Sequence, residues 1–189
     1  MDGVAADKQP SPALRTGIVD PKQFSNDKYD CNDPLVPNNA NELRWMQQHG
    51  YPTKEEQERL GRLSDSELGM QVRQGKLIAM TELGSRMIGK GDKKGLSLYT
   101  AAANRGSIYA YYLNADAAMK TTGFGSGPIE SGAFLRLAIL LGGHKAIDVF
   151  YRFAEDRHLQ MAELRAIDQR AAWLYQIYTK NRQPTPRPQ

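Results

Sequence analysis

Few side chains of this 189-residue chain have the type and spacing to do chemistry. Its three histidines are His49, His144 and His158. A zinc hydrolase sets two histidines one helical turn apart around a glutamate. His144 and His158 stand fourteen residues apart, near opposite ends of one predicted helix, and each reads as a helix-end or surface histidine. The single cysteine, Cys31, cannot close an internal disulfide, and a cysteine zinc site needs further ligands. Carboxylates gather at Glu155, Asp156, Glu163 and Asp168, and Glu130 and Asp148 flank a helix junction. Two carboxylates on either side of a sugar bond can hydrolyse it, so a carboxylate-dependent hydrolase is the enzymatic reading. The simpler reading is that these groups solvate polar helix faces. The loop Thr121 to Gly127 leads into Pro128 and offers free amides at a helix start, where an anion can sit. It lacks the Gly-Lys-Ser/Thr ending of a phosphate loop. Ser131 and Cys31 have no base partner visible in the sequence. The expectation is a non-enzymatic protein with no catalytic residue, no cofactor and no metal.

The elements that position these residues read as helices, with no convincing strand. Gly75, Gly106 and Gly142 each stand four residues before an alanine, Ala79, Ala110 and Ala146, at intervals of 31 and 36 residues. A period in this range marks stacked helical hairpins, each burying its apolar stripe against the next. A glycine just past a helix end takes a positive φ without steric cost. The alanine one turn later lets neighbouring helices approach closely. A second pattern precedes each glycine: Tyr99, Ala102 and Ala103 before Gly106, Leu135, Ala138 and Ile139 before Gly142, and more weakly Leu68, Gln71 and Val72 before Gly75. That spacing puts the three side chains on one helical face.

Punctuation divides the chain further. Residues 1–40 are rich in Pro, Asn and Asp and read as an extended or partly disordered arm, with Leu14, Ile18, Phe24, Tyr29 and Leu35 as apolar anchor points. Residues 41–63 read as short capping helices. Thr53 with Glu56, and Ser64 with Glu67, form capping boxes, in which each residue of the pair satisfies the other's free amide. Helix pairs fill residues 64–180. The tail 181–189 is too rich in proline to be helical and reads as disordered.

Bulk composition limits the function classes. The net charge is +4, with residues 1–60 at −3 and the remainder basic. The basic residues are scattered among acidic ones, so nucleic acid is not the expected partner. Mean hydropathy is −0.59, and the apolar run Ala133 to Leu141 is too short to span a bilayer, so no transmembrane segment is expected. No export signal is visible after Met1. The expectation is a periplasmic or secreted protein whose signal was removed, with a cytoplasmic one as the alternative.

The Gly–Ala pattern resembles the Sel1-like repeat, a relative of the tetratricopeptide repeat. The best match runs from Ala79 to Gly106, through Leu83, Gly84, Met87 and Gly89 in its first helix and Tyr99, Ala102, Ala103 and Gly106 in its second. The next unit keeps Ala110, Ala115, Ala118, Leu135, Ala138 and Gly142, but places Asn114 where leucine is usual. A third starts at Ala146 with Phe150 and Ala154, carries Tyr151 in place of a small residue, and lacks the Ala-Ala-x-x-Gly ending. The resemblance implies an all-α fold, a right-handed solenoid of antiparallel helix hairpins. It also implies a bacterial scaffold or adaptor that binds another protein, with the envelope as its setting. A periplasmic inhibitor or immunity-type protein for a toxic partner is the alternative.

In such a stack the concave face is lined by the first helices. Arg86, Tyr112, Asp116, Asp148 and Arg152 fall at comparable offsets in those helices and form the candidate protein-binding stripe. Tyr109, Tyr111 and Tyr112 cannot share one helical face, so at least one is expected at the surface. The competing reading makes the tyrosines packing residues and the charges solubilising ones. Trp45 reads as a packing residue.

Overall fold

A computed structural model describes residues 35–121, 125–179 and 184–188. Among these residues the chain is all-α: α1 (Ala40–Gln48), α2 (Lys54–Gly61), α3 (Asp65–Arg73), α4 (Leu77–Gly89), α5 (Gly95–Asn104), α6 (Tyr109–Lys120), α7 (Pro128–Leu140), α8 (Ala146–Asp156) and α9 (Met161–Tyr178).

The starts of α2 and α3 follow from their sequences. Thr53 accepts from the Glu56 amide at 3.2 Å while Glu56 accepts from the Thr53 amide at 2.8 Å. Ser64 and Glu67 repeat the exchange. Pro128 stands in the first turn of α7, where its missing N–H costs no hydrogen bond.

The helix ends share one construction. At Gly75 the amide donates to Val72 O and the next amide to Gln71 O. At Gly106 the acceptors are Ala103 and Ala102, and at Gly142 they are Ile139 and Ala138. This is the Schellman arrangement, which satisfies two otherwise orphaned carbonyls. The three glycines have φ of 84°, 110° and 109°. The small residues noted before Gly106 thus sit at the two acceptor positions of the turn. Ala79, Ala110 and Ala146 are each fully buried, as expected of methyl groups at helix contacts.

Packing is mostly sequential. α3 lies on α4, α4 on α5, α5 on α6, α6 on α7 and α7 on α8. The α4–α5 crossing is close: a methyl group added at Gly95 would stand 2.4 Å from Gly84 O. At the end the pattern changes. α9 packs against α7, and α8 is not among its close packing partners. Three residue pairs hold it there. Ile167 fills the space that a side chain on Gly132 would need. Arg170 donates to both Glu130 carboxylate oxygens at 2.7 and 2.9 Å. Arg136 meets Asp168 at 2.9 Å.

The main core gathers Trp45, Met46, Tyr51, Tyr111, Tyr112, Leu137, Phe150, Ile167 and Leu174, with smaller residues between them. A second, small cluster of Leu60, Leu68 and Ala79 joins α2, α3 and α4. Helix α6 is buried on nearly every side. Tyr109, Tyr111 and Tyr112 are 7%, 0% and 1% exposed, which corrects the expectation that one of them reaches the surface. Their spacing does spread them around the helix, but α5 and α7 cover two sides of it and Tyr51 covers another, with ring centroids 5.4 and 6.1 Å from Tyr109 and Tyr112.

Part of the tail is described. Residues 184–188 are non-helical and bond to the body through the Thr185 and Arg187 amides. Arg187 is 2% exposed, and its guanidinium contacts the Glu42 carboxylate on α1. The expected apolar anchors Leu14, Ile18, Phe24 and Tyr29 lie outside the described residues, as does Cys31; Leu35 is buried.

Candidate functional site

The five residues of the expected stripe fall into three environments. Arg86 on α4 is a clamp. Its guanidinium donates to the carbonyls of Leu60, Leu63 and Gly61 at 2.8, 2.7 and 3.1 Å and meets Glu82 and Asp65 at 2.8 and 3.2 Å. Those carbonyls lie at the end of α2 and in the turn into α3, so Arg86 ties three helices together. Tyr112 is buried in the core. Asp116 is half-buried and pairs with Lys120 one turn on, at 2.7 Å. Asp148 and Arg152, both on α8, are exposed.

Only α8 therefore presents members of that stripe together at the surface. Its residues sort cleanly by face. Ala146 and Phe150 are buried, with Val149 and Phe153 partly buried against the core. Ile147, Asp148, Tyr151, Arg152 and Glu155 project into solvent, and at 100° per residue they cover one continuous side of the helix. Tyr151 is 62% exposed. The sequence reading passed over it as a departure from the repeat pattern; a large aromatic at a position where the pattern wants a small one was the available signal. Tyr151 also borders a shallow depression with Ala154, Glu155, His158, Leu159 and Gln160, where α8 turns into α9.

The carboxylates suggested for acid–base work are mostly engaged. Glu130 receives both donor groups of Arg170, Asp168 is paired with Arg136, and Glu163 accepts from the Gln160 amide at 2.8 Å as an N-terminal cap. Asp148 is exposed on α8. Ser131 is buried. Among the described residues no group of three or more His, Cys, Asp or Glu is placed to hold a metal ion. His144 is half-buried beside the tail, and His158 is exposed. Of the glycine loop, residues 122–124 lie outside the described residues; Gly127 donates back to Ala118 O at 2.8 Å.

A cavity of about 250 Å³ between α2, α4 and α6 is lined by Pro52, Leu60, Ile78, Thr81, Ser85 and Tyr109 among others. Burial raises the Tyr109 hydroxyl well above the ordinary tyrosine value, and nearby Tyr99 is raised for the same reason. A phenol so held stays protonated at neutral pH and does not act as a base there.

Sequence reasoning missed the polar cluster under the tail. The Glu42 carboxylate is 1% exposed. It contacts Arg187, meets Lys145 Nζ at 3.2 Å and accepts from the Asn38 amide. Lys145 also donates to Val36 O at 2.9 Å. Arg187 donates to Val36 O at 3.1 Å and lies over the rings of Trp45 and Tyr51, at 5.7 and 6.0 Å. A glutamate and an arginine 145 residues apart carry no local pattern that would pair them.

No family model matches the chain, and neither does any curated protein or solved structure. No described helix is long and apolar enough to cross a membrane.

Proposed function

We propose that this chain is a protein-binding scaffold built as a Sel1-like, tetratricopeptide-like solenoid of helix hairpins, and that it engages its partner through the solvent face of α8. The observation that carries the reading is that face. Ile147, Asp148, Tyr151, Arg152 and Glu155 combine apolar area, a phenol and both signs of charge, and α9 leaves them uncovered by packing on α7. Aromatic and arginine side chains are the usual anchors of protein interfaces. The repeated glycine turns and buried alanines support the stacked-hairpin geometry. The engagement of Glu130, Asp168 and Glu163 in ion pairs and a cap favours binding over carboxylate hydrolysis. An envelope setting, and the narrower role of inhibiting a toxic partner, follow from the family resemblance alone.

The test is affinity capture with intact protein, comparing the wild type with Tyr151→Ala/Arg152→Ala. Both side chains are exposed, so the double variant should keep its stability within about 0.5 kcal/mol. A protein retained by the wild type should be lost or weakened at least tenfold with the variant. Equal retention by both would remove α8 as the interface.

A further inference from the structure

The proline-rich tail is seated as a peptide ligand is seated. Residues 184–188 read Pro-Thr-Pro-Arg-Pro. The Thr185 amide donates to Leu141 O at 3.3 Å and the Arg187 amide to Gly142 O at 3.0 Å. Alternate residues of an extended segment face the same way, and the residues between the two donors and on either side of them are prolines. The segment thus bonds along one edge and has no N–H left to satisfy at its three prolines. Trp45 Nε1 donates to Thr185 O at 2.9 Å, which fixes the register. Arg187 then enters the slot formed by Glu42, Trp45, Met46, Tyr51 and the Val36 carbonyl, with its Nη2 3.2 Å from Met46 Sδ. The landing is shaped for this close approach: a methyl group on Gly142 would stand 2.2 Å from Thr185 O.

The slot also has the means to stand empty. A buried carboxylate stripped of its partner is costly, but Glu42 keeps Lys145 at 3.2 Å and the Asn38 amide when Arg187 leaves. Among the described tail residues Pro184, Thr185 and Pro186 are exposed, and Arg187 is the one buried. Among the described residues the grip includes the Arg187 guanidinium, two backbone bonds and one indole bond.

We propose that the Glu42–Trp45–Tyr51 slot is a recognition site for an arginine carried on an extended, proline-flanked segment of another protein, filled in cis by the chain's own tail. The charge complementarity of Glu42 and the backbone edge at Leu141 and Gly142 select that class of ligand. The site lies at α1 and the α7–α8 turn, and it does not depend on the scaffold reading or on the outer face of α8.

The probe is a labelled peptide with the sequence of residues 184–189, and the receptor is the full-length Arg187→Ala chain, whose own tail has lost its anchor. Saturable binding is expected by fluorescence polarisation, at least tenfold weaker for the wild-type chain, whose tail competes. It should fall at least tenfold when the peptide's arginine is replaced by alanine. Failure of the folded variant to bind, or equal binding of the arginine and alanine peptides, would overturn the proposal. A doubling of mass linked to tail exchange between two copies, with no binding of free peptide, would overturn it too. Should Arg187→Ala lose its helical circular dichroism, the wild type answers instead by amide hydrogen exchange. Thr185 and Arg187 amides exchanging at least tenfold faster than those of Leu137 and Ala138 would show a slot that opens without unfolding. Exchange at the same rate would make the tail a fixed staple and end the proposal.

Discussion

Arg86 shows how much a single side chain can be misread from its offset alone. Its position in α4 matches that of surface charges in neighbouring units, yet its guanidinium spends its donors on three carbonyls and two carboxylates. The planar fork supplies several donors at fixed angles, which suits a site where one helix ends and the next begins. Its side chain is 22% exposed, so solvent screens part of this. Replacing it with alanine should destabilise the fold by about 2 kcal/mol, the scale of lost hydrogen bonds to a charged group, and a lysine should restore less than half. Urea unfolding of the two variants measures this; a loss under about 0.5 kcal/mol would place Arg86 with ordinary surface charges. Asp65 belongs to the same group. Hydrogen bonds from Lys90 and Arg86 hold its carboxyl below the usual aspartate range.

At the scale of the element, one turn recurs. Besides Gly75, Gly106 and Gly142, the ends of α1 and α4 use Gly50 and Gly91 in the same bonding pattern. The end of α8 uses it as well, with His158 donating to Glu155 O and Leu159 to Ala154 O. There a histidine occupies the left-handed position, at φ 50°. An L-residue other than glycine loses about 1–2 kcal/mol in that conformation, and glycine carries a larger entropy loss on folding. The first effect exceeds the second here, since the histidine is exposed and has little burial to offset the strain. His158→Gly should raise stability by up to about 1 kcal/mol, seen as a higher thermal midpoint with the helical spectrum unchanged. A lowered midpoint would mean that the ring contributes contacts worth more than the strain.

At the scale of the whole molecule, α1, the turn into α8 and residues 184–188 converge. His144 reports on that junction. Burial, and then the charge of Arg187, lower it from the ordinary value of 6.5, with Glu42 opposing and Lys145 adding to the shift. Above that value the ring is neutral both folded and unfolded. As pH falls through it, the unfolded chain takes the proton first, so stability is lost until the folded value is reached and no further below it. The ring is only half-buried, which keeps the effect small. His144→Asn should shrink the difference in urea midpoint between pH 7.5 and pH 5.5; an undiminished difference would assign the acid sensitivity to other groups.

Much of the helical layout was legible because its signals are local. Capping boxes at Thr53 and Ser64, proline in the first turn of α7, and glycine at the ends of three helices each act within a few residues. The buried alanines were legible for the same reason, since a fixed offset from a turn fixes a helical face. The burial of all three α6 tyrosines was not. Periodicity tells how side chains spread around a helix, and it cannot tell how many sides of that helix are covered. The return of α9 onto α7 rests on Gly132 with Ile167 and Glu130 with Arg170, pairs some forty residues or fewer apart whose meeting depends on how the intervening helix turns.

The sequence by itself determined that this chain is helical, where most of its helices stop, and that it carries no familiar catalytic spacing, because those properties follow from short-range sterics and hydrogen bonding. Tertiary structure alone decided which charges are spent inside and which face outward. Glu42 and Arg187 are 145 residues apart, and only the folded body brings that carboxylate and that guanidinium into one dry slot, where neither has water to compete for it.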